Sequence, residues 1–127
     1  MYKIDGKVYK CSISVTQDIF NDKWKLGIIW HLLDGPKRYK ELHLDVCDIT
    51  QKTLTTKLRD LEDKKLIKRE VFPEVPPKVI YSLTPIGEKL RDVLDSMYDW
   101  GIEYVKAHGE FTQGDVCEPK LSKIDTE

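Results

Sequence analysis

Residues able to do covalent chemistry are few in this chain. Among its 127 residues three are cysteines, Cys11, Cys47 and Cys117, with His31 and His43 as the imidazoles that could assist a thiol. A thiol beside an imidazole is the pair that thiol catalysis needs. His31, however, sits among Ile28, Ile29, Trp30 and Leu32 and reads as a packing residue. No serine, histidine and aspartate order, phosphate-binding loop or metal-ligand spacing accompanies them, so neither an enzyme nor a metal or cofactor site is expected. An odd number of cysteines without a CxxC pair fits neither a secreted disulfide framework nor a zinc site. In a reducing cytoplasm all three are expected as thiols.

A second constellation is denser and consists of hydrogen-bonding groups and cations. After Ile49, Thr50 is a good N-cap, and Leu54, Leu58 and Leu61 follow at i, i+4 and i+7 along one helix face. The other face carries Gln51, Lys52, Thr55, Thr56 and Arg59. A merely solvated helix surface carries acids as often as lysines, but here Asp60, Glu62 and Asp63 appear only in the last turns. Side chains of these types can exchange hydrogen bonds with base edges and neutralise phosphates in a DNA groove.

That face needs a scaffold. Tyr2 to Tyr9 alternates around Asp5-Gly6, a dipeptide suited to a two-residue hairpin turn, with a flexible arm as the alternative. Thr16 to Phe20 reads as a short helix. Asp22 can cap a second, carrying Trp24, Ile28 and Leu32, which Gly35-Pro36 stops. Lys37-Arg38-Tyr39 allows only a bridge strand or turn before a two-turn helix over residues 40–46. Beyond the polar-faced helix, strand-like runs at 67–72 and 79–83 flank Pro73-Glu74-Val75-Pro76-Pro77-Lys78, whose prolines exclude a central strand. Thr84-Pro85 then provides a cap and a first-turn proline for a long helix to about Lys106. This order is a winged helix-turn-helix: mainly α, with a small β-wing.

The stripe Leu90, Val93, Leu94, Met97, Trp100 and Tyr104 on the last helix spans more turns than three small helices and a hairpin can cover. A second copy is expected to cover the remainder, giving a homodimer held through the N- and C-terminal helices. The expected organisation is an arm or hairpin over residues 1–10, one domain over 11–107 and a loose tail over 108–127. No run approaches the roughly 18 apolar residues of a membrane span, and the start lacks the apolar core of a signal peptide. A cytoplasmic protein without a membrane partner is expected.

Taken as totals, the net charge of -1 and pI near 6.3 oppose a nucleic-acid partner. Distribution decides otherwise. Residues 37–78 hold eleven Lys/Arg against eight Asp/Glu, a balance of +3, whereas residues 85–127 hold five against ten, a balance of -5. The acidity lies in the last helix and tail.

Several segments resemble HxlR-type, MarR-like regulators of bacteria: Lys23-Trp24, Arg38 to Leu42, Ile49 to Thr55, Leu58 to Glu62, then Val75 to Thr84 and Gly87. The resemblance covers roughly residues 11–106. It implies a winged-helix homodimer that binds double-stranded operator DNA and regulates transcription of a neighbouring gene. DNA-contacting residues are then expected at Thr50, Gln51, Lys52, Thr55, Thr56 and Arg59, with Lys78 on the wing and Arg38 and Tyr39 ahead of the third helix. A winged helix used only for protein contacts is the alternative. In two places the chain departs from the usual pattern. Asn21-Asp22 replaces glycines before Lys-Trp, a variation in capping. Lys64-Lys65 stands where Asp-Gly or Asn-Gly closes the recognition helix, so a strained left-handed residue or a different exit is expected.

Such regulators carry a cysteine just ahead of the first helix, and several sense oxidants or electrophiles through it. The resemblance thus marks Cys11 as a redox-sensing residue open to a reactive small-molecule inducer, where Lys10 or a helix N-terminus could favour the thiolate; a buried cysteine without chemistry is the alternative. Cys47, beside the recognition helix, is the expected bonding partner from the other subunit. Cys117 looks incidental.

Overall fold

The structure is a computed structural model and describes residues 1–112. It begins with the hairpin: β1 (Tyr2–Ile4) pairs antiparallel with β2 (Lys7–Tyr9), Tyr2 opposite Tyr9. Asp5 and Gly6 take φ of 48° and 83°, the positive pair that a two-residue turn of this hand requires. The hairpin is fastened to α1 (Ser12–Ile19), since Asp18 accepts from Lys7 Nζ at 2.7 Å and from the Tyr9 hydroxyl at 2.5 Å. Helix α1 starts at Ser12, a turn before the expected Thr16, because the end of the hairpin brings the chain straight to Cys11, whose extended backbone caps it.

Helix α2 (Lys25–Leu32) is the centre of the core, with Ile28, Ile29 and Leu32 sealed from solvent. Asp22 caps its start: Oδ1 accepts from the backbone N–H of Trp24 at 2.7 Å and of Lys25 at 3.0 Å. A two-residue strand β3 (Lys37–Arg38) leads into α3 (Tyr39–Asp45), where the Arg38 N–H donates to Glu41 Oε1 at 2.9 Å. Then follow α4 (Gln51–Asp63), β4 (Ile67–Phe72) and β5 (Lys78–Leu83). The sheet runs β3-β5-β4, antiparallel throughout, so the fragment 37–38 is the wing's third strand.

Leu42 from α3, Leu54, Leu58 and Leu61 from α4, Ile67 and Tyr81 from the wing base and Leu94 from the last helix close on α2. The expected long final helix comes in two pieces, α5 (Pro85–Glu88) and α6 (Leu90–His108). Lys89 between them keeps right-handed dihedrals (φ -67°, ψ -11°), so the hydrogen-bond ladder breaks while the path continues. Helix α6 is held to α2 by Trp30 stacked on Tyr98, centroids 5.9 Å apart, and by Arg91 donating to the Leu33 carbonyl at 3.0 Å. That second bond satisfies an acceptor at the C-terminal end of α2, where carbonyls lack helical partners.

The exit from α4 is the strained one that Lys64-Lys65 implies. Lys65 has φ 64°; its N–H bonds the Glu62 carbonyl at 2.9 Å, and the Leu66 N–H reaches back to Leu61 at 3.0 Å. This is a Schellman closure with lysine where glycine is usual. Thr84 pins the exit from the other side, its hydroxyl 2.7 Å from the Lys65 carbonyl and 3.0 Å from that of Leu66 while it accepts from Gly87 N–H. Among the described residues, no helix is long and apolar enough to cross a membrane. Most of the expected tail at 108–127, with Cys117, lies outside the described residues.

Candidate nucleic-acid interface

Helix α4 is positioned at its start, along its flank and at its exit. At the start, the Thr50 side chain accepts from Thr53 N–H at 3.1 Å, and His43 Nε2 lies 3.1 Å from the Ile49 carbonyl. Along one flank, the Tyr39 hydroxyl lies 2.9 Å from the Gln51 carbonyl and 3.0 Å from Thr55 Oγ1. The hydroxyl donates to the carbonyl, and Thr55 donates to the hydroxyl. Tyr39 and Thr55, both expected to touch DNA, are thus also the brace between α3 and α4.

The opposite flank carries an ion-pair network that the sequence reading missed. Lys25, at the start of α2, is only 6% exposed, and its ammonium is 2.5 Å from Asp60, 3.5 Å from Asp22 and 3.2 Å from the Ile19 carbonyl. Lys57 adds a contact of 3.2 Å to Asp22, and Lys64 one of 2.7 Å to Asp60. Burial opposes ionisation of Asp22, but the N–H groups of Lys25 and Trp24, with Lys57, outweigh it and hold the carboxyl below the usual carboxylate range. Burial likewise opposes the charge on Asp60 and Lys25; their mutual hydrogen bond wins, pushing Asp60 down and Lys25 up. The i, i+3 spacing of Asp22 and Lys25 was the available signal; its extension to Asp60 needs tertiary contact.

What remains on the crest of α4 is exposed: Gln51, Lys52, Thr56 and Arg59, with the Thr56 hydroxyl bonded back to the Lys52 carbonyl at 2.9 Å. Arg38 is exposed beside α3, and Lys78 stands at the wing with its ammonium 5.5 Å from the Phe72 ring. The crest of α4 thus carries exposed cations and hydrogen-bonding groups on a helix braced from both flanks.

The chain matches the HxlR-like helix-turn-helix family over residues 19–109. It belongs to that family. The HTH-type transcriptional regulator YkvN of Bacillus subtilis (strain 168) is 39% identical over 109 residues, 86% of this chain and 91% of YkvN. Of solved structures, a protein of Porphyromonas gingivalis W83 assigned to the MarR family superposes with a TM-score of 0.72 at 39% identity, covering 80% of this chain and 98% of that one. The redox regulator HypR in its oxidized form gives 0.69 at 38% identity over 84% of this chain and all of its own. The winged-helix fold is thus established. The chain is a helix-turn-helix transcriptional regulator of the HxlR family rather than an enzyme, and DNA is its family's partner.

The structure divides the stripe on α6. Leu94 is buried in the chain's own core, and Leu90 is partly buried against it. Val93, Met97, Trp100 and Tyr104 are exposed, Trp100 to 66%, with the Trp100 and Tyr104 rings stacked at 5.2 Å. The two sets diverge because positions 90 and 94 face α2, while 93, 97, 100 and 104 follow a seam on the other side of the helix. The cysteines also divide. Cys11 is an exposed free thiol. Cys47, just past α3, is exposed and disulfide-bonded, contrary to the expectation of three resting thiols.

Proposed function

We propose that the chain is a cytoplasmic homodimer that reads operator DNA in the major groove with the crest of α4 and touches the flanking backbone with the wing. The observation that carries this is the crest itself: Gln51, Lys52, Thr56 and Arg59 exposed on a helix immobilised by Thr50, Tyr39 and Lys25. Gln51 suits adenine edges, and Lys52 and Arg59 suit phosphate or guanine acceptors. Arg38 and Lys78 reach the backbone to either side, while Tyr39, Thr50 and Thr55 hold the helix in place. The open seam Val93, Met97, Trp100 and Tyr104, with Ile13 exposed on α1, is the surface a second copy covers. Two recognition helices about one DNA turn apart would follow.

Control through Cys11 is part of the reading. Its thiolate can add to an electrophile, or, with an oxidant such as diamide taking up the two electrons and two protons, form a disulfide with a Cys47 thiol of the partner subunit. A structural neighbour named as a redox regulator supports this.

The test is recovery of bound genomic fragments by the purified protein, followed by titration at several salt concentrations. Counterion release gives log K falling steeply with log salt, and Lys52→Ala with Arg59→Ala should flatten it by about 2. Absence of salt-sensitive binding to every duplex would leave a protein-contact role instead. For the switch, diamide treatment should give a cross-linked dimer on a non-reducing gel that Cys11→Ser and Cys47→Ser each abolish.

A further inference from the structure

Lys23 and Trp24 lie immediately ahead of α2, outside the crest of α4. The Lys23 ammonium stands 4.6 Å from the centroid of the Trp24 ring, which packs against the core. A cation over a fixed aromatic face is restrained, so an exposed lysine becomes a positioned charge. This pair forms one wall of a groove whose other wall is α4, through Lys52, Thr53 and Lys57, with Asp22 between them.

The charge of this groove favours an anion. Asp22 is its single acid, and two backbone N–H groups and the ammonium ions of Lys57 and Lys25 already compensate it. Lys23 and Lys52 therefore leave the rim positive. Thr53 Oγ1 accepts from the Thr50 hydroxyl at 3.0 Å, which leaves its own proton to donate.

Placement argues for which anion. A helix lying in the major groove, which is about 12 Å wide, is walled by two phosphate backbones. The Gln51 and Thr55 flank of α4 faces Tyr39 and α3, and the Thr53 and Lys57 flank faces Lys23. A crest reading bases would bring the second backbone onto the Lys23 side. We propose that this groove seats a backbone phosphate of the DNA strand bordering α4 on its α2 side, with Lys23 and Lys52 as ion partners and the Thr53 hydroxyl as donor. The proposal rests on the DNA-binding reading.

The test compares the full chain with Lys23→Ala, Lys23→Gln and Lys23→Arg, titrating a random-sequence duplex and a genomic fragment recovered by the wild type. Loss of one phosphate contact should reduce the slope of log K against log salt by about 0.9 for Ala and Gln. It should weaken both duplexes by the same several-fold factor, with Arg retaining the slope and the melting temperature unchanged. An unchanged slope with wild-type binding intact overturns the groove alone. A loss confined to the genomic fragment also overturns it, because that outcome marks a base contact. If the wild type itself shows no salt-dependent binding, the DNA-binding reading fails and the groove with it.

Discussion

Tyr39 and Thr55 meet at 3.0 Å, hydroxyl to hydroxyl, across the angle between α3 and α4. This contact, with the bond from Tyr39 to the Gln51 carbonyl, sets where the recognition helix sits on its support. Tyr39→Phe and Thr55→Val should each lower stability by about 1 kcal/mol, the usual net value of a hydrogen bond. A double-mutant cycle in urea should show coupling of about 0.5–1 kcal/mol. Additive losses would mean that the two hydroxyls act separately.

Lys65 holds φ at 64°, a region that costs an L-residue roughly 1–2 kcal/mol. Lys65→Gly removes that cost but adds freedom to the unfolded chain. The net expectation is a gain of about 0.5–1 kcal/mol, read as a rise of a few degrees in melting temperature. An equal or lower melting temperature would show that the lysine side chain contributes more than its backbone costs.

Gly87 behaves in the opposite way. A Cβ there would be driven into the Leu66 carbonyl oxygen, which is backbone and already accepts from Thr84 N–H. Gly87→Ala should therefore cost more than about 2 kcal/mol through forced displacement of the α4 exit. Denaturant unfolding of the variant measures it directly.

The Lys25 network makes stability depend on pH at both extremes. Asp22 and Asp60 are held below their ordinary range, so their contribution is present above about pH 4 and disappears as pH falls through their folded values. Lys25 is raised above 10.5, so its contribution holds through neutral pH and is lost only as pH climbs past that value. Urea midpoints should be flat between about pH 5 and 10 and fall on the acid side. Asp60→Asn should shallow the acid limb; an identical limb would remove Asp60 from the network's account.

Much of the scaffold was legible because it rests on local chemistry. Asp5-Gly6 turns, Asp22, Thr50 and Thr84-Pro85 cap, and Leu54, Leu58 and Leu61 mark a face, each through interactions within a few residues. Even the left-handed Lys65 follows from where a helix of this family must close. Contacts between distant segments decided the rest. Only the fold could bring Tyr39 onto Thr55 or bury Lys25 between Asp22 and Asp60. It also turned Leu90 and Leu94 inward while leaving Val93, Met97, Trp100 and Tyr104 open. Sequence periodicity states that a helix has an apolar side, and the packing of neighbouring elements determines how much of that side the chain itself can cover.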